Sequence, residues 1–217
     1  MISTRKRWGL KRKRTRVTRP DPLQPIVTAL TRGGDSSSDF DLNPETILPA
    51  GRKLRPAGVL VAFQPVEGRI EVILTKRASG LKHHPGQIAF PGGKQDETDA
   101  DIAQAALREA HEEIGLAPSN VEILGALPVH ETVTGFTVTP VLGRVLDPFD
   151  IIPEPGEVDE VFRVPLSHIS DPHQYRVQSR RWLGQRRYYY AVPFGPYYIW
   201  GATARILRGL AERMRTE

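Results

Sequence analysis

A chain of 217 residues is long enough for one hydrophobic core with extensions, and an arrangement of one domain over 21–217 behind a short tail is expected. It has no cysteine, which excludes disulfides and thiolate metal sites and suits a reducing, cytoplasmic setting. The net charge of +5 is local: residues 1–20 hold nine Lys and Arg and no acid, and taking those nine from +5 leaves −4 on the rest.

The tail, MISTRKRWGLKRKRTRVTRP, has no apolar periodicity and is expected to be disordered. Contact with nucleic acid or an anionic membrane, or organellar import, are weaker readings of the same charge. No apolar run approaches a membrane span.

Asp21 and Pro22 mark a helix start, with PLQPIVTALTR running to the stop at Gly33 and Gly34. GGDSSSDFDLNPE reads as a loop, rich in residues that bond their own backbone. AGVLVAF, ending at Phe63, is a buried strand, and Val66-Glu67-Gly68 turns it into IEVILTKRA as a hairpin partner. VEILGALPV and FTVTPVLGRV read as strands joined by HETVTG, and VDEVFRVPL as a further strand. A basic, aromatic hairpin runs through SRRWLGQRRYYYAVPFGPYYIW, and the last helix covers about Ala202 to Met214. An early hairpin among helices points to an α/β (α+β) sandwich on a mixed sheet.

The stretch Phe90–Leu116, FPGGKQDETDADIAQAALREAHEEIGL, is a glycine turn, an acidic loop and a helix. At 100° per residue Glu109, Glu112 and Glu113 share an arc of about 100°, roughly opposite Ala103, Leu107, Ala110 and Ile114. The acids repel one another at i,i+3 and i,i+4, close to the negative end of the helix dipole at Gly115, and Arg108 offsets only part of this. A solvated charged face is the bland alternative. A hard divalent cation, Mg2+ or Mn2+, would neutralise the cluster through oxygen ligands, and Gly92 or Gly93 could add a backbone carbonyl.

At these residues the chain resembles the Nudix hydrolases, whose box reads G-x5-E-x7-R-E-U-x-E-E-x-G-U. Counting from Gly93 to Leu116, Arg108, Glu109, Glu112, Glu113, Gly115 and Leu116 fall on box positions. Asp99 stands where the first glutamate is expected, and eight residues rather than seven separate it from Arg108. The same extra residue, with the upstream stretch ILTKRASGLKHHPGQIAFPGG (Ile73–Gly93), resembles the coenzyme A pyrophosphatase branch. The later VTGFTVTPVLG and YYIWGATARIL are similar to that branch too.

The resemblance implies an αβα sandwich and metal-dependent cleavage of the diphosphate of coenzyme A and its thioesters. It implies Gly93, Glu109, Glu112 and Glu113 as metal ligands, Arg108 as their orienting cation, and Glu109 or Glu157 as the group that activates water. Arg77 falls on the arginine of the branch's T-x-R pattern and, with Lys82, is expected to meet substrate phosphate; His83 and His84 lie in the same loop. Two other readings stand beside this one. The first is a hydrolase of another nucleoside diphosphate derivative such as ADP-ribose or NADH. The second is a non-enzymatic nucleic-acid-binding or regulatory module, against which the intact REAHEE argues.

Overall fold

The computed structural model describes residues 21–48, 51–182 and 184–215, so the basic tail at 1–20 lies outside the described residues. Helix α1 (Gln24–Thr31) opens where expected: the Asp21 carboxylate accepts from the Leu23 N–H at 3.0 Å, and a proline occupies the first turn. The serine-rich stretch read as a loop is not wholly one, because Ser37–Ser38 form strand β1.

Strands β2 (Arg55–Val66) and β3 (Arg69–Arg77) form the expected hairpin, closed by Glu67 and Gly68 at φ 48° and 81°. Short strands β4 (Ile88–Ala89) and β5 (Gly92–Lys94) precede helix α2 (Ile102–Ile114). Next come β6 (Val121–Ala126), β7 (His130–Glu131), β8 (Phe136–Val145), β9 (Val158–Pro165) and the one-turn helix α3 (Leu166–Ile169). Strands β10 (Arg176–Trp182) and β11 (Gln185–Ala191) are the basic hairpin, and α4 (Gly201–Met214) ends the described chain. The segment HETVTG is likewise not a plain connector, since it begins with β7.

Nine strands make one mixed sheet with β2 at its centre: β8 runs parallel to it from Arg55↔Phe136 to Phe63↔Arg144, while β3 and β5 run antiparallel. Both faces of β2 are covered, so its sequence is nearly continuously apolar rather than alternating. Val61 and Phe63 enter one core with Val72, Leu74, Leu23, Ile26 and Leu207, beneath α1 and α4. Leu60 and Ala62 enter the other with Ile73, Ala106, Leu107, Ala110 and Ile114, beneath α2. The architecture is a mixed α/β sandwich of helix, sheet and helix.

The small strands are held by a polar tie. His130 is fully buried; its Nδ1 lies 2.9 Å from Ser37 Oγ and its Nε2 3.2 Å from Asp39 Oδ1. The Val133 N–H donates to the other Asp39 oxygen at 2.9 Å. Asn43, in the same segment, exchanges two hydrogen bonds with the Tyr188 backbone, at 2.8 and 2.9 Å, so residues 37–43 link the main sheet to the hairpin.

Candidate active site

Helix α2 begins at Asp101, whose carboxylate accepts from the Gln104 N–H at 2.8 Å, and ends at Gly115, whose φ of 75° lets its N–H return to the His111 carbonyl. Ala106, Leu107, Ala110 and Ile114 turn to the sheet, as the spacing requires. The helix sits very close to β2, because a Cβ at Gly58 would come within 3 Å of the Ile102 carbonyl. Gly58 pairs with Gly93 across the β2–β5 ladder, and this rung faces the acids.

The glycine turn and the helix interlock twice. The Gly92 N–H donates to Glu113 Oε2 at 3.1 Å, and a Cβ on Gly93 would fall inside the Glu109 carboxylate. Gly92 therefore offers its N–H to a box glutamate. Glu113 is 5% exposed and so does not lie on an open acidic face. The helical arc rolls under β5: Glu112 stays in solvent with 56% of its side chain exposed, Glu109 is half-buried, and Glu113 is enclosed.

Arg108 organises the rest. Its Nε and one terminal nitrogen grip both oxygens of Asp99, at 3.0 and 2.9 Å, a bidentate fork. Its other terminal nitrogen lies 2.9 Å from Glu109 Oε1 and 2.9 Å from Glu112 Oε2, and the nitrogen on Asp99 also donates to the Lys94 carbonyl at 3.1 Å. Asp99 is thus joined to Arg108 despite the extra residue in the box, which the turn before the Asp101 cap absorbs. The Arg108 fork, helped by the Asp96 N–H, holds the Asp99 carboxyl below the usual range. Arg108 in turn is raised, chiefly by Asp99.

Electrostatics set the remaining acids apart. Burial pushes Glu113 up to about 7; the Gly92 N–H opposes the shift, Glu109 and Glu157 add to it, and Arg77 opposes it. Glu109 is also raised, first by burial, with Arg108 pulling the other way and Glu112 and Glu157 reinforcing. Glu157, exposed on the turn before β9, is therefore in electrostatic reach of both glutamates. Arg77 reaches the same place from the end of β3, where the pairing with β9 slips by a bulge between Lys76 and Arg77; its Nε is buried with no hydrogen-bond partner among the described residues. Lys82, His83 and His84 lie on an exposed turn, with His84 at a φ of 56°.

The donor set is hard oxygen throughout, and Glu113 is a buried carboxylate without an ion pair among the described residues. That chemistry fits a divalent cation. Among the described residues no three acids or histidines already converge on one point, and Glu109 and Glu112 are both turned onto Arg108. A cleft of about 780 Å3 opens elsewhere, between α4 and the segment after α1, lined by Arg32, Ser37, Arg205 and Arg213 and by none of the box acids.

Sequence reasoning missed the burial of Glu113 and the roles of Asp96 and the Lys94 carbonyl around Arg108, the last two lying 3.7 and 3.1 Å from it. Residue spacing along α2 carries no signal for a neighbour supplied by β5.

The family model described as NUDIX domain matches residues 54–185. The chain is 46% identical over 160 residues, 72% of its length and 81% of the relative's, to a protein of Enterobacter sp. (strain 638) named "Uncharacterized Nudix hydrolase NudL". A protein of the same name from Pectobacterium atrosepticum is 40% identical over 192 residues, 87% of this chain and 96% of that one. Among solved structures, a Nudix hydrolase from M. smegmatis, RenU, is 25% identical with a TM-score of 0.45, covering 55% of this chain and 74% of that one.

Proposed function

Because the chain belongs to the Nudix family of hydrolases, we propose that it cleaves the diphosphate bond of coenzyme A and its thioesters. The products are adenosine 3′,5′-bisphosphate and 4′-phosphopantetheine or its acyl form, with water adding across the P–O–P linkage. The observation that carries the hydrolytic reading is the interlock of REAHEE with the glycine turn: Glu113 on the Gly92 N–H, Glu109 against Gly93, and Arg108 spanning Asp99, Glu109 and Glu112.

Glu109, Glu112, Glu113 and the Gly93 carbonyl would hold Mg2+ or Mn2+. When bound, such an ion polarises a phosphoryl oxygen and makes water more acidic. Arg108 orients the glutamates through charge-assisted hydrogen bonds and, when one of them turns to the ion, keeps Asp99 as its anchor. Glu109 is half-buried with a raised carboxyl, and Glu157 stands within its field; one of the two takes the proton from the attacking water. Arg77 and the neighbouring Lys82 supply cations to the phosphates, and the unpaired Arg77 Nε is a donor awaiting an acceptor. The small-molecule diphosphate reading needs no membrane contact, and no helix among the described residues is long and apolar enough to cross a membrane.

The coenzyme A assignment rests on Arg77 and the stretch LTKRASGLKHHPGQIAFPGG, and dephospho-coenzyme A tests it. A site with a cationic group for the 3′-phosphate leaves that group unpaired on the dephospho form. Chromatography of products should show coenzyme A cleaved faster than dephospho-coenzyme A, ADP-ribose or NADH, with Arg77→Ala narrowing the preference over the dephospho form. Faster cleavage of ADP-ribose or NADH sinks the coenzyme A assignment and leaves a Nudix hydrolase of another nucleoside diphosphate derivative.

A further inference from the structure

The β10–β11 hairpin lies apart from the acids, in a segment of unusual charge. Residues 172–211 contain seven arginines and no Asp or Glu. Near its tip the ladder sets Arg181 directly opposite Arg186. Like charges facing each other across a ladder are destabilising, and a two-stranded hairpin has little stability to spare. Arg176, Arg180, Arg181 and Arg186 are exposed, and none forms an ion pair among the described residues. The acids of the 37–43 segment that joins the hairpin are occupied: Asp41 by Arg205 at 2.8 Å, and Asp39 by His130 and the Val133 N–H.

Aromatic rings are interleaved with these guanidiniums. Tyr188, 42% exposed, lies two residues from Arg186 on the same face of β11, opposite Ser179. Arg180 stacks over Trp200 at 4.5 Å, Trp200 packs on Tyr189 at 4.9 Å, and Tyr198 beside them is 46% exposed. The exposed guanidiniums of Arg181 and Arg186 beside the exposed Tyr188 ring, all on one face of the hairpin, fit a ligand that carries phosphates and flat bases.

We propose that the outer part of the β10–β11 hairpin binds single-stranded nucleic acid on the face that carries Arg181, Arg186 and Tyr188, with the two arginines on phosphates and Tyr188 stacking a base. A second copy of the chain is a poor occupant, because two such edges repel. An anionic lipid surface would use the arginines but not the ring faces. This surface uses no residue of the hydrolytic site.

The test uses the full chain with a fluorescein-labelled oligouridine of about 20 nucleotides, longer than a typical single binding site. The tail's own positive charge makes the comparison of variants decisive. Arg181→Gln with Arg186→Gln should weaken binding at least ~10-fold near 0.1 M salt and reduce the log–log salt slope by about 1.4, two single-strand phosphate contacts. Tyr188→Ala should weaken it roughly 5-fold or more with the slope unchanged. Diphosphate hydrolysis by both variants should match the parent, which shows that they fold and separates this surface from the enzymatic reading. Four results overturn the proposal: no binding by the parent, equal binding by the arginine variant, binding to phosphatidylglycerol vesicles but not to RNA, or a raised KM for the diphosphate substrate in the arginine variant without RNA binding.

Discussion

Glu113 is enclosed by the glycine turn and the helix, and the hydrogen bond it accepts from the Gly92 N–H does not offset the loss of water. An unfolded glutamate ionises near 4.5 and this one near 7. Below pH 4.5 both states are protonated and the burial carries no ionic penalty. Between 4.5 and 7 the unfolded chain releases its proton first, so metal-free stability falls as pH rises, and above 7 the full penalty of roughly 3 kcal/mol stands. In chelator-treated protein, Glu113→Gln should therefore raise Tm at pH 8 by roughly 5–10 °C, with the gain fading as pH drops toward 4.5. A Tm gain of the same size at pH 4 and pH 8 would contradict the assignment. With Mg2+ present the same substitution, and Glu112→Gln, should each cut turnover at least ~100-fold while circular dichroism is unchanged. Parent-like turnover by either variant in limiting Mg2+ would remove it from the ligand set.

Helix α2 keeps its register because both ends are fixed. Asp101 satisfies the Gln104 N–H and Gly115 closes the last turn. Asp101→Ala should cost about 1 kcal/mol, lowering Tm by about 2–4 °C, with the per-molecule rate at 25 °C close to the parent's; thermal melts and initial rates on one preparation check both. This helix and the β2–β3 hairpin were readable in the sequence, because their signals are local: a 3.6-residue apolar stripe with a glycine stop, and a two-residue turn between apolar runs. Strands β1 and β7 were not. Two residues cannot show alternation, and Ser37 finds His130 from 93 positions away. The burial of Glu113 was illegible for a related reason. Wheel geometry puts it beside Glu109 and Glu112, and only the docking of β5 decides which of the three is covered.

For the molecule as a whole, charge is divided by region. The tail's nine cations outweigh the −4 of the rest and leave the chain at +5, while the box acids sit on α2 and an acid-free stretch runs through the hairpin. If residues 21–217 are the catalytic domain, deleting residues 1–20 should leave diphosphate hydrolysis within about 2-fold of the parent and lower any nucleic-acid affinity in a salt-dependent way. A large loss of turnover in the truncated protein would place the tail in the working enzyme.

Gly58, Gly92 and Gly93 set the distance between α2 and the strands by contact of main chain with main chain or with a carboxylate. Peptide dimensions are the same in every protein, whereas side-chain volumes drift with each substitution. The spacing of the acids is therefore machined to a gauge that mutation elsewhere in the chain does not alter. Substitutions that change side-chain volume away from these glycines leave that spacing in place.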